Sequence, residues 1–266
     1  MIKLIATDLD GTFVDNDKKV PAENSKIINK LIEKGIIFIP ASGRDYPSMK
    51  DILSKDIKKI NYYSCFNGAR IFKDNKLIHS IKISKEICSD IIKKGLELKL
   101  KYSATSDYNV CYTQLDTEYY NEFNNENSKY TFHSNEKYDN LKIFDFEKIV
   151  FFGKNNILEE LKEFVLNKYK SNVNIFFSGN GLIDIVNKNC SKGNSLKLIC
   201  DELKIDLKDV MAFGDNENDL SMLLEVGHPV VIKNAKDIVK QNIQEKCEFS
   251  NSEAGVGIYL KKYFNI

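Results

Sequence analysis

Along the first eighty positions, apolar residues come in short unbroken runs, separated by stretches in which they recur every three or four residues. KLIATDL (3–9), IIFIPAS (36–42) and NYYSCF (61–66) are runs of the first kind, rich in β-branched and aromatic side chains. Strands buried on both faces read this way. Between them, NSKIINKLIEKG (24–35) and SMKDILSK (48–55) gather their apolar residues on one helical face. Asn24 or Ser25 is the expected cap of the first of these helices and Gly35 its stop. Strands that alternate with helices need crossover connections, so this pattern predicts a parallel sheet covered by helices.

The period changes near residue 82. SKEICSDIIKKGLELKL predicts a helix, KYSATSD and NVCYT two strands, KIVFFG another strand, NILEELKEFVLNKYK a helix, and NIFFSG with LIDIVN a strand pair. The polar stretch at 116–140 keeps Tyr119, Tyr120, Phe123 and Tyr130 and reads as a loop-rich part of the same domain. After residue 187 the alternation resumes, with SLKLICDELK and NDLSMLLEV as helices, DVMAFGD and HPVVIKN as strands, AKDIVKQNI as a helix and a last helix at GIYLKKYF. The expected fold is therefore α/β: a Rossmann-like parallel-sheet core of residues 1–81 and 188–266, interrupted by an α+β domain at 82–187.

Charge narrows the partners. Lys+Arg 39 against Asp+Glu 38 leaves a net charge of +1, so no global field draws the chain to nucleic acid or a membrane. Arg44 and Arg70 are the only arginines, and arginine is the preferred fork for phosphates and base edges. Six scattered cysteines form no C-x-x-C pair, which favours buried thiols over a zinc site or disulfides. The chain opens on a strand-like segment without a charged-then-apolar leader, and a cytoplasmic protein, monomeric by default, is expected.

Two acids stand out at the end of the first strand, in IATDLDGT. Successive strand side chains point to opposite faces, so Asp8 and Asp10 aim to one side and Leu9 to the core. Like charges that close need a cation between them. GDNEND (214–219) repeats the arrangement after another buried strand, with Asp215 at the strand end; Asp219 reads equally well as an acid capping the next helix. Asp8, an oxygen of Asp10 and Asp215 would suit a hard cation such as Mg2+. ASGR (41–44) places Ser42 and the Gly43 amide at a third strand end, where they could hold a phosphate oxygen. SKGNSL (191–196) places Lys192 and Gly193 at a helix start, a favourable anion position.

The order DxDGT, SGR, a lysine at a helix start, then GDxxND resembles the Cof-type phosphatases of the haloacid dehalogenase superfamily, class IIB, with a large α/β cap between the second and third motifs. NGA at 67–69 and the ending NSEAGVGIYLKKY match that branch as well. The resemblance implies a magnesium-dependent phosphatase acting on small phosphate monoesters, a sugar phosphate or a phosphorylated cofactor. It implies Asp8 as nucleophile, Asp10 as general acid and base, and Mg2+ on Asp8, Asp10 and Asp215, with Asp219 in support. Ser42, Gly43, Lys192 and Asn218 would bind the phosphoryl group. Arg44, Asn67 and Asp184 are candidates for touching the substrate, as are Asn180 and Gly181. The inserted cap would close over the site.

Two other readings are weighed. A phosphomutase needs a second phosphate clamp on its cap, usually rich in arginine, and residues 82–187 contain none. A non-catalytic phosphosugar sensor would be free to lose a nucleophile or a metal carboxylate, yet Asp8, Asp10, Lys192 and Asp215 are all present.

Overall fold

A computed structural model of the chain describes residues 1–107, 109–113, 130–134, 143–179 and 181–266. They form two compact units, residues 1–79 with 191–266, and residues 80–190.

In the first unit, β1 (Leu4–Thr7) leads to α1 (Ala22–Glu33), β2 (Ile37–Pro40), α2 (Tyr46–Leu53) and β3 (Tyr62–Cys65). β4 (Arg70–Lys73) and β5 (Lys76–Ser80) follow. The second unit carries α3 (Lys85–Glu97), β6 (Lys101–Ser106), β7 (Asn109–Tyr112), β8 (Thr131–Ser134), β9 (Lys148–Phe152), α4 (Asn155–Tyr169), β10 (Val173–Gly179) and β11 (Leu182–Asn187). The chain then returns through α5 (Lys192–Leu203), β12 (Val210–Gly214), α6 (Leu220–Leu223), β13 (His228–Val231), α7 (Asp237–Asn242) and α8 (Gly255–Phe264).

The central sheet of the first unit is parallel, in the order β13-β12-β1-β2. Its strands LIAT and VMAFG are buried throughout, which is why they read as unbroken apolar runs. Register decides where the site forms. Thr7 lies opposite Phe213 on one side and Pro40 on the other, so β1, β12 and β2 end level and Asp8, Asp215 and Ser42 emerge together. β3, β4 and β5 form a separate sheet in that order, with β3 antiparallel to β4, and the NGA segment turns the chain from β3 into β4.

The helix α1 begins earlier than its caps suggested. Pro21 occupies the cap position, and its ring fixes a backbone angle already suited to the helix start. Asn24 is instead fully buried inside the helix. Its amide donates to Phe13 O (2.8 Å) and accepts from Gly257 N (2.7 Å), tying the loop after β1 to α8. The expected helix at 218–226 is also shorter, a 3-10 turn at Glu217–Asp219 followed by the single turn of α6.

The second unit is a six-stranded sheet in the order β10-β11-β9-β6-β7-β8, antiparallel except for the β7-β8 pair. Alternate residues Tyr102, Ala104, Ile149, Phe151, Ile183 and Ile185 share a core with Ile91 and Ile92 of α3 and Leu158 and Leu161 of α4. The strand β8 was not anticipated, because its four residues TFHS sit within the polar stretch. The remainder of that stretch, with Tyr119, Tyr120 and Phe123, lies outside the described residues, as does Asn180. All six cysteines are buried and unbridged. Among the described residues, no helix is long and apolar enough to cross a membrane.

Candidate active site

Four of the singled-out side chains converge beyond the carboxyl ends of β1 and β12. Asp8, Asp215 and Asp219 offer oxygens that all lie within 4.8 Å of one another. Lys192, the first residue of α5, projects into them, 2.5 Å from Asp8 Oδ1 and 2.6 Å from Asp219 Oδ1. Its side chain is fully buried, so the charge must be paired to be tolerated there. Gly193 follows Lys192 in the first turn of α5. Its amide donates to Ser221 Oγ (3.2 Å) and is already engaged, and a Cβ there would sit 2.1 Å from Ser221 O. Glycine at this position lets α5 approach the neighbouring backbone closely enough to deliver Lys192.

Asp219 has two jobs in the geometry. Its Oδ2 accepts from the amides of Asp215 and Asn216, each at 2.9 Å, and its Oδ1 faces Lys192. Together with Asn216 it closes a capping box, so the helix-cap reading of this residue holds. It also anchors the loop that presents Asp215. Thr12, to which the sequence assigned no part although it belongs to the DxDGT run, is fully buried and donates to Asp215 Oδ1 at 2.6 Å. Gly11 makes room for this approach: its φ is +79°, and a Cβ would lie 2.6 Å from Asp215 Oδ2.

Electrostatics follow from burial and from crowding of like charge. Burial pushes the Asp8 carboxyl well up, and Asp219, Asp215 and Asp10 add to this while Lys192 opposes it. Asp215 is pushed up to about 6, by burial first and then by Asp219. Burial works against the charge of Lys192, but Asp219 and Asp8 hold its ammonium protonated. With all three carboxyls ionised, the one ammonium would leave two net negative charges in the floor of the site.

Asp10 is placed differently. Its carboxylate lies toward solvent, where Arg44 grips it with both arms, Nε to Oδ2 at 2.6 Å and Nη2 to Oδ1 at 2.8 Å. Lys18 adds a third contact at 2.9 Å. Burial works to raise the Asp10 pKa, yet the hydrogen bonds and charges of Arg44 and Lys18 hold it well below the usual carboxylate range. Of the oxygens of Asp10, only the backbone carbonyl is then left for a cation beside Asp8. Arg44, a candidate for touching the substrate, is thus an Asp10 partner here. Lys18 went unnoticed because a lysine in the turn DNDK carries no local signal.

Ser42 is buried beside this pair. Its Oγ accepts from Arg44 N at 3.2 Å, which leaves its own proton to donate. Asn67, in the left-handed region at φ 54°, donates its amide to Ser42 O (2.9 Å) and accepts from Asn218 Nδ2 (2.9 Å). The Asn218 Oδ1 is buried with no hydrogen-bond partner among the described residues. Asp184 belongs to the second unit, where it pairs with Lys148 at 2.8 Å and accepts from Ser178 Oγ at 2.9 Å. The Gly43 amide lies in the same loop as Ser42.

The chain is similar to known proteins over nearly its whole length. The sequence profile of the haloacid dehalogenase-like hydrolases matches residues 5–260. The chain belongs to that family. It is 34% identical over 273 residues to a phosphatase-named protein of Buchnera aphidicola, covering 99% of this chain and 97% of that one. It is 26% identical over 271 residues to the HMP-PP phosphatase of Yersinia pseudotuberculosis, covering 100% of this chain and 96% of the relative. A haloacid dehalogenase-like hydrolase of Bacteroides thetaiotaomicron has the same fold, with a TM-score of 0.83 at 20% identity, over 99% of this chain and 100% of that one. This haloacid dehalogenase-like hydrolase is accordingly a phosphatase with a parallel-sheet core and a sheet-and-helix cap of the Cof type.

Proposed function

We propose that this phosphatase hydrolyses small phosphate monoesters with Mg2+ bound among Asp8, the Asp10 carbonyl and Asp215, the phosphoryl group passing through Asp8. The observation that carries this reading is the buried floor of three carboxylates and one lysine at level strand ends. Oxygen donors only, and carboxyls pushed up by burial and then by one another's charge, fit a small hard dication. When bound, Mg2+ supplies the charge that lets an anionic nucleophile meet an anionic phosphoryl group.

The chain's own residues do the rest. An Asp8 oxygen attacks phosphorus, and Lys192 holds that carboxylate in place and offers charge to the transferring oxygens. Ser42 donates its hydroxyl proton to a second phosphoryl oxygen, and Asn218, steadied by Asn67, helps to fix the phosphoryl group. Asp10 carries the proton only once Arg44 and Lys18 turn from its carboxylate; it then gives the proton to the leaving oxygen and recovers one from the water that releases Asp8. Thr12 and Asp219 keep Asp215 pointed inward.

Phosphate release by the wild type and by Asp8→Asn, over a panel of sugar phosphates and phosphorylated cofactors with Mg2+ or with EDTA, tests the proposal. Magnesium-dependent turnover that Asp8→Asn abolishes is expected. Turnover that persists in EDTA or in Asp8→Asn would overturn it.

A further inference from the structure

We propose that Arg70 is a positioning residue of this phosphatase. Paired with Asp45 and stacked on Phe66, it holds the strained turn 66–68, and through that turn Ser42 and Asn218, in the arrangement that grips the phosphoryl group, a role that rests on the phosphatase reading above.

Between β3 and β4 three residues in succession take left-handed backbone, Phe66 at φ 50°, Asn67 at 54° and Gly68 at 92°. Glycine adopts this region freely and asparagine tolerates it, but for a side chain as bulky as phenylalanine it is an outlier. The turn from β4 into β5 shows the ordinary choice, with Asp74 and Asn75 in the same region. Strain of this kind persists only where the surroundings over-determine it, and it collects at functional sites.

The turn meets every segment assigned above to the phosphoryl group. Phe66 N donates to Arg44 O and Asn67 N to Ser42 O, both at 2.9 Å. Asn67 Oδ1 accepts from Asn218 Nδ2 at 2.9 Å. Gly68 lies so close to the start of α5 that a Cβ there would sit 2.2 Å from the carbonyl oxygen of Ser191, the residue before Lys192. A shift of the turn therefore moves the Ser42 loop, Asn218 and the helix start together.

Arg70 supports the turn at the first residue of β4. Its side chain is 2% exposed; its guanidinium carbon lies 5.0 Å from the centre of the Phe66 ring, and its Nη1 is 3.3 Å from Oδ1 of the buried Asp45. Asp45 occupies the N-cap of α2, where an aspartate ordinarily accepts from the helix amides. Its side chain makes no such bond and is turned to Arg70. One guanidinium thus joins the two sides of the hydrogen bond from Phe66 N to Arg44 O, touching the ring on one side and the carboxylate that follows Arg44 on the other. A buried ion pair adds little net stability over apolar groups of the same volume. What this pair supplies is orientation, which a planar fork fixes better than a lysine can.

The test compares Arg70→Lys, Arg70→Met and the double variant Asp45→Leu/Arg70→Met with the wild type, in protein shown to be folded by circular dichroism. Arg70→Met alone strands the Asp45 carboxylate, whereas the double variant puts apolar groups in place of the pair and keeps a folded protein to measure. Two quantities are read during hydrolysis of p-nitrophenyl phosphate: inhibition by orthovanadate, which mimics the five-coordinate phosphoryl group, and the Mg2+ concentration for half-maximal rate. The double variant should bind vanadate about tenfold more weakly with its magnesium requirement unchanged, and Arg70→Lys should fall between it and the wild type. Adding Asn67→Gly to the double variant should cost little more, because both changes release the same turn. A pair that only stabilises the fold would lower the Tm and leave vanadate affinity at the wild-type value, and that result overturns the proposal, as would equal losses of vanadate and magnesium affinity or an additive loss with Asn67→Gly. In each of those cases the phosphatase reading stands. If the wild type neither releases phosphate from p-nitrophenyl phosphate nor binds vanadate, the phosphatase reading falls and the role of Arg70 falls with it.

Discussion

Lys192 Nζ lies 2.5 Å from Asp8 Oδ1, although the two residues are 184 positions apart and both are buried. The first turn of α5 carries the ammonium to the end of β1, so the pair is assembled by the fold before any substrate arrives. Asp219 completes it on the other side of the lysine. The proposed nucleophile is thereby held in one orientation, with a positive charge beside it.

Removing that charge should be felt in folding as well as in turnover. Lys192→Met leaves Asp8 and Asp219 buried without their cation, a change expected to lower the unfolding free energy by about 3–5 kcal/mol. Urea denaturation measures this, and phosphate release should fall by about a hundredfold or more in protein that remains folded. A variant as stable as the wild type would mean that the lysine is not paired as described.

Asp215 links stability to pH and to metal. Folding raises its pKa from an ordinary 3.8 to about 6, so the metal-free native state binds this proton more tightly than the unfolded chain does. The contribution of Asp215 to stability therefore falls as pH rises from about 4 to about 6 and is level above that. A cation binding the ionised carboxylate acts in the opposite sense. The rise in Tm on adding Mg2+ should be larger at pH 7.5 than at pH 5, and thermal melts at the two pH values decide it.

Gly11→Ala brings a methyl group to 2.6 Å from Asp215 Oδ2 at a backbone φ of +79°. The strain is expected to cost about 1–3 kcal/mol. The displaced carboxylate should weaken Mg2+ binding about tenfold, which isothermal titration would read. Unchanged magnesium affinity would show that Asp215 does not ligate the ion.

Asn67 and Asn218 should behave as a unit. Asn67→Gly keeps the left-handed backbone and deletes the amide that holds Asn218, so kcat/KM is expected to fall about tenfold. Asn218→Ala should cost a similar amount, and the double variant little more than either alone. Additive losses in this cycle would mean that the two amides act independently.

Some of this chain is readable residue by residue, because the interactions concerned are local. The buried runs LIAT and VMAFG declare parallel strands through continuous apolar character, and α3 and α4 declare themselves through a one-sided apolar face. The acids of DLD and GDNEND stand out because carboxylates at the ends of apolar strands contradict local preference, and such contradictions collect at functional sites. The strand β8 was illegible for the opposite reason. Four residues in a polar stretch owe their conformation to pairing with β7, not to their own pattern.

Partner choice is what tertiary structure alone decided. Nothing local distinguishes Asp10, gripped by Arg44 and Lys18, from Asp8, paired with Lys192, although the two acids are separated by one leucine. Nothing in the first helix says that Asn24 will leave its cap to bridge Phe13 and Gly257. Periodicity sets which face a side chain takes, since that depends on backbone geometry within a few residues. Which charge it meets there depends on strand register and helix docking between segments more than two hundred residues apart, where burial makes each pairing matter.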